Sequence, residues 1–273
     1  MLEFPETHNI ADQLRIHTTG KIVSSVLPPT KINKFCWFNG DPADYNNLLT
    51  GMTVKSADGF GIYVELVFEG NKKLCFNDGI NVRLVLKEAI PKNYQLVICF
   101  EDGYALVFTV AMYGGIYLHD GSYDNEYYIK SKNAISPFSE DFDEYFRKTL
   151  SESKQTMSVK AFLATEQRFP GIGNGVLQDI LFCSNIHPKR KIATLEENEK
   201  DMLFKSIHSV LKNMTEHGGR DTEKDLFGKA GGYKTMMSKN SVSCCCPVCK
   251  GEITKEAYLG GSVYYCARCQ RLN

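Results

Sequence analysis

Two pairs of cysteines near the end of the chain have the spacing of a metal site. Cys246 and Cys249 form the first pair, and after sixteen further residues Cys266 and Cys269 form the second. Two Cys-x-x-Cys pairs at this separation can place four thiolates tetrahedrally around one zinc ion, at about 2.3 Å each. Four protein ligands leave no open position for catalysis, so the predicted zinc is structural. A pair of redox dithiols is the less favoured alternative.

The segment between the two pairs, GEITKEAYLGGSVYY, predicts a β-hairpin that turns at Gly260 and Gly261. It is too short to bury a core, so we expect it to depend on the metal for its fold. Cys244 and Cys245 lie beside the first pair but lack its spacing. Four other cysteines occur singly in apolar segments and are expected to be inert core thiols in a reducing compartment: Cys36, Cys75, Cys99 and Cys183.

A second chemical pattern is a glycine-containing turn, formed by Gly171, Ile172, Gly173 and Asn174, that opens an apolar helical segment. Glycines let the backbone approach a phosphate, and a helix N-terminus presents N–H groups with a partial positive charge. The pattern therefore predicts phosphate contacts from Gly171, Gly173 and Asn174. A tight turn between two packed helices is the alternative.

The overall charge is balanced, with 32 basic and 32 acidic residues in a chain of 273. This counts against a broadly basic nucleic-acid surface. A local basic face is still predicted from Lys189 and Arg190, together with the basic residues of 212–240. No run of 18 apolar residues occurs and the N-terminus has no apolar leader, so we expect an intracellular protein without membrane spans.

The first half of the sequence has the pattern of an all-β fold. Short apolar runs such as GIYVELVF, YQLVICF and YALVFTV, separated by polar turns, predict a sandwich or barrel within residues 1–130. The spacing of Ile10, Leu14 and Ile16 predicts an additional helix over 7–18.

The pattern becomes helical near residue 135. Helix-start residues occur around Ser139, and the apolar spacing stays helical to about residue 217. Residues 218–243 have no apolar period and are interpreted as a loop between the helices and the cysteine pairs.

Four segments, in this order, resemble the formamidopyrimidine-DNA glycosylase and endonuclease VIII (Fpg/Nei) family. They are the N-terminal Glu3, Pro5 and Glu6, the segment SPFSEDFDEYF, the segment VKAFLATEQRFPGIGN, and the two cysteine pairs. The resemblance covers essentially the entire chain. It implies an α+β multidomain protein with three parts: an N-terminal β-sandwich over 1–130, a helix–two-turns–helix domain over 131–235 and a C-terminal zinc-finger hairpin over 236–273.

The resemblance also implies base excision repair, with DNA glycosylase and AP lyase activity as the family's chemistry. The family bends the duplex and flips the damaged nucleotide out of the stack. The expected partner is therefore double-stranded DNA with a damaged or abasic nucleotide, bound by a monomer at the nucleoid in the cytoplasm. Asn174 falls where the family's asparagine contacts the phosphate backbone.

The chain departs from the family at its N-terminus. The family's nucleophile is an N-terminal proline, whose amine attacks the sugar C1′ and forms a Schiff base, whereas this chain has Leu2. A bulky second residue is expected to leave Met1 in place, which displaces the terminal amine by about 3.3–3.6 Å. Met1 is then a candidate nucleophile. Its position is the obstacle, because a misplacement of about 1 Å can cost ~100-fold.

Three cations of the family are also replaced. The N-terminal lysine falls at Phe60 or Gly61, and the finger-hairpin arginine falls at Gly261. The arginine-containing wedge falls within AMYG, at Ala111, Met112 and Tyr113. An aromatic face suits an unstacked base step, so Tyr113 remains a predicted wedge residue. A core strand aromatic is the alternative.

Two acids of the family signature are retained. The residue matching Glu3 acts in the family as a general acid/base at the sugar, so Glu3 and Glu6 are candidate catalytic residues, and Glu3 could activate water. In the alternative, both acids hold the N-terminal helix by interacting with backbone N–H groups.

Three functions are therefore open. The first is a divergent DNA glycosylase that uses Glu3 with either water or the Met1 amine. The second is a catalytically inactive protein that binds a lesion or a bent structure in DNA, which the replaced cations favour. The third, a zinc-dependent RNA-binding protein, is disfavoured because the strands carry no aromatic-rich motif for single-stranded RNA.

Overall fold

The structure, a computed structural model, describes residues 1–272, which pack as two compact units. The first unit comprises Met1–Lys132 and the short segment Glu223–Ala230. The second comprises Asn133–Thr222 and the chain from Gly231 onward. The α+β class predicted from the sequence is confirmed, because the first unit is mainly sheet and the second mainly helix. The three-domain division stays a prediction.

The first unit contains three helices and nine strands in its described residues. The helices are α1 (Phe4–Thr18), α2 (Tyr45–Leu49) and α3 (Glu126–Lys132). The strands are β1 (Val23–Leu27), β2 (Cys36–Phe38), β3 (Val54–Phe60), β4 (Tyr63–Phe68), β5 (Lys73–Asn77), β6 (Ile80–Leu86), β7 (Leu96–Phe100), β8 (Tyr104–Val110) and β9 (Gly114–His119).

These strands form a sandwich of two sheets. One sheet has the order β2-β9-β5-β4-β3 and the other the order β1-β7-β8-β6, and every pairing is antiparallel except that of β2 with β9. Side chains from both sheets share one core, in which the rings of Phe76 and Phe108 meet edge to face at 5.3 Å. Of the two all-β folds that the sequence predicted, the structure has the sandwich.

Helix α1 begins three residues earlier than the sequence pattern predicted. Glu3 precedes its first turn and forms a capping box with Glu6, in which each side chain accepts a hydrogen bond from the other's backbone N–H. The helix buries Ile10 and Leu14 in the sandwich core. Ile16 was wrongly grouped with them, because its side chain is 75% exposed. The capping residues therefore determine where the helix begins.

The segment Glu223–Ala230 belongs to the first unit although it lies far away in the sequence. Leu226 is fully buried in the sandwich core, and its backbone N–H donates to Gln13 Oε1 at 2.9 Å. Its carbonyl accepts a bond from the N–H of Leu84 at 3.1 Å. Residues 218–243 contain no helix or strand, as the loop interpretation predicted, but the burial of Leu226 was not predicted, because a single leucine has no periodicity to detect.

The second unit contains four helices and one hairpin in its described residues: α4 (Phe142–Glu152), α5 (Val159–Ala164), α6 (Val176–Cys183), α7 (Glu197–Glu216), β10 (Thr254–Tyr258) and β11 (Gly261–Tyr265). Helix α4 begins after Asp141, not at Ser139, whose hydroxyl bonds the Ser136 carbonyl at 2.9 Å. Phenylalanine rings from these helices and their loops hold the unit together, with Phe162 and Phe169 centred 5.2 Å apart.

Within residues 1–272, none of the helices combines the length and apolar character needed to cross a membrane.

Candidate functional site

The four cysteines of the two pairs converge in the second unit. Their sulfur atoms all lie within 4.8 Å of one another, with Cys246 and Cys269 at 3.8 Å and Cys249 and Cys266 at 3.4 Å. A tetrahedron of Sγ atoms with metal bonds of about 2.3 Å has edges of about 3.8 Å. The cluster therefore has the donor set and the dimensions of a four-thiolate metal site.

The hairpin between the pairs forms as predicted, with one correction. Strands β10 and β11 pair antiparallel, and Tyr258 lies opposite Gly261. The two residues between them are Leu259 and Gly260, both with positive φ, so the turn lies one residue earlier than predicted. Gly261 is the first residue of β11.

Helix α6 and its neighbours hold this hairpin through buried polar side chains. Gln178 donates to the carbonyl of Ser262 at 3.0 Å and accepts from the N–H of Tyr264 at 3.0 Å. Lys160, which is 1% exposed, donates to the carbonyl of Tyr258. The cysteine cluster and the helices are therefore parts of one packed body, so loss of the cluster should disturb α6.

The glycine-containing turn lies directly beside the hairpin. Gly171 has a φ of +92°, a left-handed conformation that glycine adopts without strain. Asn174 follows it, and its carbonyl accepts a bond from Gln178 at 2.8 Å. Its side-chain Oδ1 is buried without a hydrogen-bond partner among the described residues. A Cβ atom at Gly261 would lie 2.7 Å from Asn174 Nδ2, so a larger residue there would require the Asn174 side chain to move.

The two basic residues after α6 have different environments. Lys189 is partly exposed and pairs with Glu256 on the finger hairpin. Arg190 is buried, and its guanidinium pairs with Glu199 at the start of α7 and donates to the Thr194 carbonyl at 2.7 Å. Arg190 therefore stabilises the second unit internally, and only Lys189 remains positioned for an external contact.

The N-terminus of the first unit brings together residues that are distant in sequence. The terminal amine of Met1 forms an ion pair with Glu223 at 2.5 Å, and both side chains are partly exposed. Leu2 is buried, and its backbone N–H donates to the carbonyl of Asp78 at 2.9 Å. Neither Glu223 nor Asp78 was predicted, because contacts over such separations leave no local pattern.

The two predicted catalytic acids are buried beside this amine. Glu3 is 2% exposed and Glu6 is 4% exposed. Both accept hydrogen bonds from backbone N–H groups in the capping box of α1, as the alternative to a catalytic role had predicted. The space enclosed beside Met1, Glu6 and Glu223 is about 10 Å³, which holds about one water molecule. A nucleobase therefore does not fit into this enclosed space in the present conformation.

The predicted wedge lies on the loop between β8 and β9. Met112 is 58% exposed and Tyr113 is 44% exposed, so the alternative of a core aromatic is wrong for Tyr113. The Tyr113 carbonyl accepts a hydrogen bond from the N–H of Gly79, the residue after Asp78, at 3.1 Å. Burial raises the pKa of Asp78, against the opposing effects of the Met1 amine and of Tyr113. Asp78 thus connects the wedge loop to the N-terminus.

The position of the family's N-terminal lysine is a tight turn between β3 and β4. Gly61 has a φ of +53°, and its carbonyl accepts a bond from the hydroxyl of Thr7 at 3.2 Å. The turn is therefore held against α1 by its backbone.

Sequence comparisons identify relatives over the whole chain. The profile of the formamidopyrimidine-DNA glycosylase H2TH domain matches residues 134–225. The formamidopyrimidine-DNA glycosylase of Mycoplasma mobile is 25% identical over 285 aligned positions, covering 100% of both chains. That of Prochlorococcus marinus is 36% identical over 140 positions, covering 50% of this chain and 47% of the relative.

Comparison with solved structures confirms the fold. The Lactococcus lactis Fpg in complex with DNA containing an abasic site has a TM-score of 0.83 at 22% identity, covering 98% of this chain and 99% of the other. The MutM (Fpg) protein of Thermus thermophilus has a TM-score of 0.80 at 20% identity, covering 99% of each. The chain is therefore similar to formamidopyrimidine-DNA glycosylases over its whole length, matches the model of their H2TH domain over residues 134–225 and carries leucine at position 2.

Proposed function

We propose that this protein binds damaged duplex DNA as part of base excision repair. The observation that carries the proposal is the contact of Asn174 with the start of β11 at Gly261, because the turn predicted to contact phosphate meets the finger hairpin there. The relatives support it: one solved structure is a complex of Lactococcus lactis Fpg with abasic-site DNA, and another a complex with DNA containing N7-benzyl-Fapy-dG. A monomer acting on nucleoid DNA in the cytoplasm is the expected form.

The proposed metal is one zinc ion held by Cys246, Cys249, Cys266 and Cys269. Zinc prefers four thiolates in tetrahedral geometry, and the observed sulfur separations of 3.4 and 3.8 Å suit it. When bound, the ion would supply cross-linking of the two Cys-x-x-Cys turns and no catalysis. The hairpin, α6 and Asn174 would thereby keep a fixed relative position on the DNA.

For the chemistry, we propose a divergent glycosylase and AP lyase in which the Met1 amine replaces the proline nucleophile. The nitrogen of Leu2 is an amide whose N–H is bonded to Asp78, so it is not a nucleophile. The Met1 amine would condense with the C1′ aldehyde of an abasic sugar, forming an imine and releasing water. Attack requires the neutral amine, and Glu223 lies at 2.5 Å, within reach to accept the proton.

A catalytically inactive lesion-binding protein is the second candidate. The enclosed space beside Met1 is about 10 Å³, the amine is already paired with Glu223, and Glu3 is committed to the capping box. In this function the N-terminus would stabilise the sandwich and the DNA would be held without reaction.

Borohydride trapping separates the two candidates. Full-length protein, with its N-terminus verified by mass spectrometry, is incubated with end-labelled duplexes carrying an abasic site or oxidised bases, with and without borohydride. A trapped adduct that is lost when an N-terminal extension is retained would identify the Met1 amine as the nucleophile. Base release without an adduct, abolished in Glu3→Gln, would indicate activated water. Lesion-selective binding with neither product would establish the inactive function.

The variant Glu223→Gln tests the role of the ion pair. With the amine as nucleophile and Glu223 as the proton acceptor, we expect the trapping rate to fall, because the variant lacks the carboxylate that accepts the proton. Lys224→Gln, at the neighbouring position, is the matched control and should leave the trapping rate unchanged. An unchanged trapping rate in Glu223→Gln would refute this role.

A further inference from the structure

Four large apolar side chains lie exposed together on the first unit. The only tryptophan of the chain, Trp37, is 48% exposed on β2, and Phe35, just before that strand, is 49% exposed. Met112 and Tyr113, on the loop between β8 and β9, are exposed to a similar extent. We call these four residues the aromatic edge. Single exposed apolar residues are common, but a contiguous group of them marks an interaction surface.

Strand pairing makes the aromatic edge continuous. Strand β2 runs parallel to β9, with Trp37 opposite Gly115, and the Phe35 carbonyl accepts a bond from the N–H of Gly114 at 3.0 Å. The rings of Trp37 and Tyr113 are centred 6.4 Å apart, with their planes tilted by 54°. The two rings therefore form one surface.

The orientation of Trp37 follows from strand alternation. Its neighbours Cys36 and Phe38 contact the sandwich core, so the side chain between them points to the opposite face. Core packing therefore does not account for an indole at this position.

The charges around Trp37 favour the binding of a polyanion whose units contain aromatic rings. The stretch 31–38 contains two lysines and no acid. Lys34 Nζ lies 4.9 Å from the centre of the Phe35 ring, and Lys31 is exposed. Exposed ring faces next to lysines are the combination with which proteins bind unpaired nucleotides, since bases stack on the rings and cations pair with phosphates.

The aromatic edge is tied to the N-terminus. The carbonyl of Tyr113 accepts a bond from the N–H of Gly79 at 3.1 Å, and the carbonyl of the adjacent Asp78 accepts one from the N–H of Leu2 at 2.9 Å. A nucleotide whose sugar reached the Met1 amine would therefore have its neighbouring base step close to Tyr113 and Trp37.

We propose that Trp37, side by side with Tyr113, is a stacking residue for a base that is left unpaired beside the lesion. Tyr113 enters the gap in the duplex, and Trp37 extends the ring surface so that the unpaired base is held outside the stack. This inference rests on the proposed DNA binding and adds a residue that the family resemblance does not supply.

The single tryptophan provides a direct test, because all indole emission of the protein comes from Trp37. Full-length protein is titrated with a fluorescein-labelled duplex carrying a tetrahydrofuran abasic analogue, and with the same duplex undamaged. Fluorescence anisotropy of the label reports binding, and unlabelled duplexes are used to follow the tryptophan emission. We expect the emission to be quenched on binding of the abasic duplex and much less on binding of the undamaged one.

Variants test whether the stacking contributes to affinity. Trp37→Ala should weaken the Kd for the abasic duplex by roughly 5- to 150-fold, whereas Trp37→Phe, which keeps a ring, should stay close to wild type. Tyr104→Ala is the matched control, because Tyr104 is an exposed aromatic residue at the other end of β8, about 20 Å from the loop that carries Tyr113. It should bind like wild type.

The outcomes separate this inference from the proposed function. Binding detected by anisotropy without quenching of Trp37, or an unchanged Kd in Trp37→Ala, would overturn the stacking role and point to a protein partner for the aromatic edge. Equal quenching by both duplexes would overturn the preference for an unpaired base. No binding of any duplex would overturn the proposed function itself, and the stacking role with it.

Discussion

Glu65 lies at the centre of a buried polar cluster on the outer side of the five-stranded sheet. It is 2% exposed, and its carboxylate accepts hydrogen bonds from Tyr128 and, at 2.8 Å, from Lys132, both on α3. His119 Nε2 lies 3.6 Å away. The cluster therefore attaches α3, the last helix of the first unit, to the sheet.

The pKa of Glu65 gives the contribution of this cluster to the free energy of unfolding. Burial alone would raise it, but the hydrogen bonds from Lys132 and Tyr128, together with the nearby His119 ring, outweigh burial and lower it from 4.5 to about 2. Since each tenfold change in proton affinity corresponds to about 1.4 kcal/mol, the ionised carboxylate contributes about 3 kcal/mol. The folded-state pKa lies below the unfolded one, so this stabilisation is present above about pH 4.5 and is lost as the pH falls toward 2.

We therefore expect Glu65→Gln to lower the free energy of unfolding of the first unit by about 3 kcal/mol at pH 7. Urea denaturation followed by Trp37 emission measures this, because Trp37 reports on the first unit alone. Glu69→Gln is the control, since Glu69 pairs with Lys55 on the exposed surface. If both variants changed stability equally, or if wild type and Glu65→Gln lost stability in parallel between pH 5 and 2, the reasoning would be refuted.

Two further predictions concern the second unit. Cys249→Ser, or removal of zinc by a chelator, should abolish DNA binding measured by anisotropy. The control Cys244→Ser, outside the cluster, should bind DNA normally. Unchanged affinity in the zinc-free protein would contradict the structural role of the metal. Arg190→Ala should lower the free energy of unfolding by about 2 kcal/mol in thermal denaturation, because Glu199 loses its partner, whereas Lys191→Ala should have little effect. Equal melting temperatures would argue against a buried role for Arg190.

Several features of the fold could be predicted because they depend on neighbours in the sequence. The two Cys-x-x-Cys pairs predicted the sulfur cluster, since each pair forms one local turn and the hairpin between them brings the pairs together. Apolar patterns likewise predicted α7 and three strands of the sandwich, β4, β7 and β8. The capping pair Glu3 and Glu6 shows the limit: both acids were identified, yet their spacing alone did not distinguish catalysis from helix capping.

Positions at the ends of elements were less predictable. The finger turn lies at Leu259 and Gly260 because the strand register places Gly261 opposite Tyr258. Two adjacent glycines in the sequence did not specify which of them belongs to the strand. Similarly, Ile16 was grouped with Ile10 and Leu14, but two residues after Leu14 it lies on the opposite face of α1 and is exposed, whereas Thr18 is buried.

The sequence by itself determined the α+β class, the cluster of four cysteines and the leucine at position 2, and it carried the resemblance to the formamidopyrimidine-DNA glycosylase and endonuclease VIII family. Only the tertiary structure decided the environment of the N-terminus: Met1 pairs with Glu223, and the N–H of Leu2 is bonded to Asp78. It also placed Trp37 beside Tyr113. The physical reason is that these contacts join residues from separate strands and loops. They arise when the whole sandwich packs, and no local pattern of residue types records them.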